Sequence, residues 1–381
     1  MDRTNQVWER AIPVSEEEII SLVKQFDTPL FVVSEEKLLQ NYRAFQEFFP
    51  GIEIFYAVKA NPHPFIIRTL KEIGSSFDVA SFQEIELVSS QGVPPERMIF
   101  ANTIKRKKGL RYARQIGVNL MTYDNEEELK KIAMVYPESQ LLVRIKTPSN
   151  GSRANLSYKF GAEPDMAPEL LLQAKNMGLK PAGISFHVGS PCSNVNNYLY
   201  SLQKVREIVE KVSGEISISV IDIGGGFPLS LYEEEGEGSL EAFSKAINPH
   251  LQEFLKDGYR VIAEPGRVIV GSAAFLITKV IGKAVRSGIT WYYLDDGIYG
   301  TFSAIPFDKA TFRFLPLRES KEELPAVLAG PTCDSLDVVA ENVLLPPLEL
   351  EDLIVVPDIG AYSWASATNF NGFERAQVVM I

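Results

Sequence analysis

From Ser34 onward the apolar positions switch between two periods. SEEKLLQNYRAFQEFF repeats its apolar residues every three or four positions, which predicts a helix capped by Ser34 with Glu35 and Glu36 in its first turn. IEIFYAVK follows, a short apolar run of the kind a buried strand makes. The rhythm of strand, turn and helix then repeats. The later strands read SSFDVAS, MIFANT, VNLMTYD, QLLVRIK, AGISFHVGS, SVIDIGGG and RVIAEPGR. Helical runs such as PFIIRTLKEI, NEEELKKIAMVY and NNYLYSLQKVREIVEKV separate most of them. Eight apolar strands within residues 35–270 match a closed parallel (β/α)8 barrel in number and in length. An open doubly wound sheet would carry its glycine-rich turn after the first strand, whereas IGGG follows the seventh.

Beyond residue 270 the long helical patterns stop. AAFLITKVIGKAV, TWYYLDD, ATFRFLPL, LPAVLAG, DLIVVPD and RAQVVMI read as short strands punctuated by Gly and Pro, which predicts an all-β domain over 271–381. PLFVVS in the N-terminal segment 1–34 is a further strand that joins it. KTPSNGSRANLSYKFGAEPD is the longest irregular stretch and is expected to be a mobile surface loop, a candidate lid.

Composition narrows the function. The formal net charge of −11 repels nucleic acid and anionic membranes. The one basic cluster, KRKKG from Lys105 to Gly109, opens a helix and is expected to be a solvated face. Two cysteines, Cys192 and Cys333, make no disulfide framework and suit a cytoplasmic protein. MDRTNQVWER lacks the apolar core of a signal peptide, so none is expected. The most apolar stretch, GSAAFLITKVIGKAV, is too short to span a bilayer and carries Lys279 and Lys283. His63, His187 and His250 lie too far apart to share a zinc-ligand spacing with either cysteine, so no metal is expected.

The chemistry gathers at the strand ends, where barrels of this kind build their sites. In order the strands close on Lys59, Asp78, Asn102, Thr122 or Asp124, Arg144, His187, the glycines Gly224, Gly225 and Gly226, and Glu264 with Arg267. A lysine ending a core strand either snorkels to water or lies in a pocket as a Schiff-base amine. Its company at the mouth favours the second reading. DIGGGFP resembles a phosphate cradle, and EPGR adds the fork donor Arg267. Beside such a lysine these features suggest pyridoxal 5'-phosphate, with Glu264 on the ring nitrogen and His187 on the ring face.

YAVKAN, FDVAS, FHVGS, IGGGFP, AEPGR, DDGIYGTF, GPTCDSLD and GAY with FNGF occur in this order between residues 28 and 373. By these motifs the chain resembles the pyridoxal-phosphate-dependent basic amino acid decarboxylases of fold type III, which have an alanine-racemase-like barrel. Within that family it is most similar to the ornithine and lysine/ornithine enzymes. The resemblance implies that Lys59 holds the cofactor covalently, His187 stacks on it and Glu264 pairs with its ring nitrogen. Ser190, Gly224, Gly225, Gly226, Arg267 and Tyr362 would hold the phosphate, and Asp78, Glu84 and Arg144 would form the polar network around lysine and ring. Cys333 would return a proton to the α-carbon, and Tyr299, Asp308 and Asp334 would meet the substrate, the two aspartates at its distal amine. Family members are homodimers with shared sites, so Cys333 and Asp334 are expected from the other subunit.

The implied activity is decarboxylation of L-ornithine to putrescine or L-lysine to cadaverine, in polyamine biosynthesis. Arginine and diaminopimelate are the alternative substrates, although a diaminopimelate enzyme typically has Glu where Asp334 stands. A non-catalytic regulatory homologue is the alternative of another class. Pro191, Val268 and Phe307 depart from the common family residues without removing a named group.

Overall fold

The computed structural model describes residues 12–229, 238–318 and 320–381. They form two compact units. One is Tyr42–Ile269; the other joins the described residues up to Asn41 with Val270–Ile381.

The first unit is a closed barrel of eight parallel strands: Glu53–Ala57, Ser76–Val79, Met98–Phe100, Leu120–Tyr123, Gln140–Ile145, Lys180–Phe186, Val220–Asp222 and Arg260–Ala263. The last strand returns to pair with the first, Ala263 beside Ile54. Because strand side chains alternate faces, every second residue points to the barrel axis. Phe55, Ile99, Leu120, Leu142, Val220 and Ile262 form a buried apolar cluster in this interior. Two residues further along their strands come Thr122, Arg144, Asp222 and Glu264. On these four strands one period-two step thus turns an oily layer into a polar one. Gly183 keeps the interior open for this packing, since a Cβ there would lie 2.2 Å from the Val220 carbonyl oxygen.

The second unit is an eight-stranded sheet. Its main path runs Leu315–Pro316, Leu353–Val356, Ala274–Arg286, Ile289–Leu294, Leu324–Ala329, Val338–Leu345. Leu30–Val33 pairs antiparallel with Ala274–Arg286 and parallel with Gln377–Met380. Ser287 and Gly288, both at positive φ, make the tight turn that lets Arg286 face Ile289. Helix Glu16–Phe26, closed by a Ser15–Glu18 capping box, packs Ile19 against Leu30, Val32, Phe275, Ile277 and Val355.

Three expectations need correction. ATFRFLPL yields a two-residue strand, Leu315–Pro316, because Pro316 offers no N–H to continue a ladder. Val338–Leu345 is a strand the pattern did not announce, since Glu341 and Asn342 interrupt its apolar positions. The stretch from Lys146 to Asp165 is less irregular than expected. Its Ser152–Ala154 pairs with Ser190–Cys192, and Asp124 Oδ2 accepts from the Gly161 N–H at 2.9 Å.

Candidate active site

Lys59 lies just past the first barrel strand, which ends at Ala57, in the one-turn helix Val58–Ala60. Its ammonium pairs with Asp78, whose side chain is 1% exposed while that of Lys59 is 37% exposed. The neighbouring strand registers explain the pairing, since Asp78 stands beside Ala57. Glu84, in the first turn of helix Phe82–Ser90, accepts from the Ala80 N–H at 2.6 Å. Burial lifts its carboxyl above the usual range, and the Asp78 charge adds to that.

Arg144 is paired in register with Ser185, and Ser185 with Asp222. The Ser185 hydroxyl donates to Asp222 Oδ2 at 2.7 Å, and the Gly224 N–H to Oδ1 at 2.9 Å. Burial raises Asp222 to about 6 against these two bonds. Glu264 is held well above the usual carboxylate range by burial and by the nearby charges of Asp222 and Asp78. Asp222 is a further candidate that strand-end reading missed. The signal was present in DIGGG, where an acid stands two residues beyond the buried Val220.

His187 is buried, and its Nδ1 accepts from the Gly189 N–H at 3.1 Å. An accepting Nδ1 places the proton of a neutral ring on Nε2. Burial, with Arg144 and Lys59 nearby, keeps the ring neutral by driving its pKa well down. The Thr147 hydroxyl donates to the His187 carbonyl at 3.0 Å and fixes its backbone. The Phe160 ring centroid lies 5.3 Å from the Arg144 guanidinium carbon.

The glycine loop admits no side chains. A Cβ on Gly224 would stand 2.1 Å from the Phe186 carbonyl oxygen, on Gly225 3.2 Å from His187 Nε2, and on Gly226 2.1 Å from the Gly189 carbonyl oxygen. The Tyr198 hydroxyl donates to the Gly225 carbonyl at 2.8 Å. Phe227, next in the chain, is buried against Phe45, Phe49 and Tyr198. Ser190 opens the short strand Ser190–Cys192, and Arg267 opens helix Arg267–Val270.

The remaining candidates belong to the β unit. The Tyr299 hydroxyl donates to Asp334, and the Leu336 N–H donates to the same carboxylate at 3.0 Å. These bonds hold Asp334 below the usual carboxylate range. Cys333 is exposed, with its N–H on Asn371 Oδ1 at 3.0 Å. Phe370 stacks on Tyr299 with ring centroids 4.3 Å apart, so FNGF and DDGIYG support one surface. Asp308 is half-buried at the end of helix Ala304–Asp308, and Tyr362 sits at positive φ.

The basic cluster also needs correction. Arg106, Lys107 and Lys108 are exposed, but Lys105 is wholly buried. Its ammonium donates to the Thr122 carbonyl at 2.5 Å and pairs with Glu128 at 3.1 Å. Burial lowers its pKa to about 8 although Glu128 opposes this. Lys105 precedes helix Lys107–Ile116, so the helical period that argues for solvent does not govern it.

The barrel residues fit a phosphorylated pyridine aldehyde. Among the described residues Glu264 Oε1 is buried without a hydrogen-bond partner, which suits a protonated ring nitrogen. The glycine loop is a backbone cradle that any Cβ would fill. Residues 35–271 match the family model described as pyridoxal-dependent decarboxylase, pyridoxal binding domain.

The chain belongs to the pyridoxal-dependent decarboxylases.

Relatives of this decarboxylase cover nearly its whole length. It is 37% identical to the lysine/ornithine decarboxylase of Selenomonas ruminantium, over 96% of this chain and 93% of that one. It is 37% identical to antizyme inhibitor 2 of Xenopus laevis, over 95% of this chain and 83% of that one. The crystal structure of a Vibrio vulnificus lysine/ornithine decarboxylase complexed with putrescine superposes with a TM-score of 0.89 at 40% identity, covering 97% of this chain and 99% of that one. Pyridoxal phosphate is the cofactor of this family, and the barrel carries its binding domain.

The Glu264 carboxyl yields a prediction for the decarboxylase freed of cofactor. A carboxyl whose pKa is raised by folding costs nothing below its unfolded-state pKa and destabilises as pH climbs through the folded value. Glu264→Gln should therefore melt above the wild type near about pH 8, with a smaller gain near about pH 5. Melting curves at both pH values check this, and an equal or reversed gap contradicts it.

Proposed function

We propose that the chain decarboxylates L-ornithine, L-lysine or both, giving putrescine or cadaverine for polyamine biosynthesis in the cytoplasm. It works as a homodimer with shared active sites. The observation that carries the substrate is the Asp334 carboxylate, kept ionised beside Cys333 by Tyr299 and the Leu336 N–H. A fixed anion next to a proton donor suits an amino acid with a second ammonium. The relatives named for lysine and ornithine support the same class.

In this reading Lys59 holds the cofactor, and Asp78 keeps the lysine head oriented. Glu264 would pair with the ring nitrogen, with Arg144 and Asp222 setting its charge environment. Neutral His187 would stack on the ring without adding a competing positive charge. The N–H groups of the glycine loop, with Ser190, Arg267 and Tyr362, would take the phosphate. The bound pyridoxal phosphate supplies an electron sink for the pair left on the α-carbon when carbon dioxide departs. Cys333 of the other subunit gives its thiol proton to that carbon and recovers one from solvent. Asp334 and Asp308 bind the distal ammonium and so fix which end of the substrate reacts.

The test is kcat/KM for ornithine, lysine, arginine and diaminopimelate. Ornithine or lysine should lead. Asp334→Asn should lower kcat/KM for diamino acids by about tenfold to a hundredfold, the worth of one hydrogen bond to a charged group. Asp308→Glu should shift the ratio among the substrates, because it advances the carboxylate by one methylene. Wild-type values and ratios in both variants would remove the substrate assignment. Arginine or diaminopimelate leading in the wild type would replace it.

A non-catalytic role is the reading that a relative such as antizyme inhibitor 2 brings forward. The retention of Lys59, Asp78, Arg144, Tyr299, Cys333 and Asp334 weighs against it. Visible absorbance of the purified protein separates the two, since covalently held cofactor is yellow.

A further inference from the structure

We propose that Asp337 is the positioning residue that sets Tyr299 against the Cys333–Asp334 pair. This rests on the reading that these three residues face the substrate. Asp337 is 2% exposed. Its Oδ1 accepts from the Ile298 N–H at 2.8 Å. Its Oδ2 accepts from the Thr332 N–H at 3.1 Å and the Thr332 hydroxyl at 2.7 Å. Ile298 adjoins Tyr299, and Thr332 adjoins Cys333. One carboxylate therefore ties two loops together one residue away from each candidate group.

The surroundings accept an aspartate and little else. A Cβ on Gly297 or on Gly330 would lie 2.3 Å from Asp337 Oδ1, so both loops close directly on the carboxylate. The Asp337 carbonyl also accepts from the Gly330 N–H at 2.8 Å, and the Asp337 N–H donates to the Asp334 carbonyl at 3.1 Å. Three donors converge on the two oxygens, which only an acceptor-only side chain satisfies. Asparagine would turn an N–H pair toward Ile298 or Thr332, donor against donor. Glutamate would drive an extra methylene into the glycines. Asp337 touches no reacting atom in this scheme. It acts by fixing the distance across which the Tyr299 hydroxyl reaches Asp334.

The test is a double-mutant cycle in the holoenzyme with Asp337→Asn and Tyr299→Phe. Cofactor absorbance should stay at the wild-type level in both, because Lys59 and the cradle lie in the barrel unit. Each single variant should lose about tenfold or more in kcat/KM. The double variant should be no worse than Asp337→Asn alone, since the tyrosine is already displaced. In protein labelled with 13C-tyrosine, the Tyr299 resonance is assigned by its loss in Tyr299→Phe. Asp334 keeps that phenol above the ordinary tyrosine range, and Asp337→Asn should bring its titration back down.

Where Asp337→Asn does not fold, Thr332→Val replaces it in the cycle and removes a single donor from Oδ2. Additive losses, or an unmoved Tyr299 titration, overturn the positioning role. Full activity of Tyr299→Phe alone would instead strike the reading that this surface meets substrate.

Discussion

Lys59→Ala should remove the yellow of covalently held cofactor and lower turnover on the order of a thousandfold or more. The expectation comes from where the chain places this amine. Lys59 sits in the one-turn helix directly after the first barrel strand, with its head on buried Asp78. Among the described residues the other lysine on an early strand-to-helix connection is Lys105, which is committed to Glu128 and the Thr122 carbonyl. It cannot leave that burial to substitute for Lys59 without giving up both of these partners. Alanine at residue 59 also leaves Asp78 without its ammonium. The visible spectrum and single-turnover carbon dioxide release measure the outcome. Wild-type-like activity in the variant would end the assignment of Lys59.

Mixing inactive Lys59→Ala with inactive Cys333→Ala should restore activity. If each site takes Lys59 from one subunit and Cys333 from the other, a heterodimer has one site with both native residues and one with neither. Random exchange makes half of the dimers hybrid, so about a quarter of all sites are intact, as two-fold symmetry requires. The readout is specific activity against mixing ratio, with exchange followed by a mass tag on one parent. Exchange without recovery would place Cys333 in the same site as the Lys59 of its own chain. The exposure of Cys333 agrees with a residue that completes a site elsewhere.

The barrel was legible because its information is periodic and local. Four of the strands step from an apolar layer to a polar one, and Arg144 and Glu264 fall on the polar step by counting from Leu142 and Ile262. Asp222 obeyed the same count, but the glycines after it drew attention to the backbone instead. Lys105 was illegible for a different reason. Its burial depends on Glu128, twenty-three residues on, and on the carbonyl of Thr122 on another strand. No window of sequence joins those groups. The strand Val338–Leu345 hid likewise, since Glu341 and Asn342 break its apolar pattern while its partner Leu324–Ala329 supplies the ladder. Asp337 carries no local mark in the sequence. Its value lies in two N–H groups that arrive from loops on either side of it in three dimensions.

The pairing registers also set an order of events for a chain emerging from the ribosome. The barrel ring closes only when Ile262 and Ala263 reach Glu53 and Ile54, so the strand before Lys59 keeps an open edge through some two hundred residues of synthesis. That is a long-range contact of the kind that slows folding. The β unit waits longer still, because Leu30–Val33 needs Gln377–Met380 beside it. The barrel segment that bears Lys59 and the glycine loop is thus complete on the nascent chain about a hundred residues before the unit that bears Tyr299, Cys333 and Tyr362 can be. A barrel that binds its cofactor early would be stabilised while the rest of the chain is still unpaired.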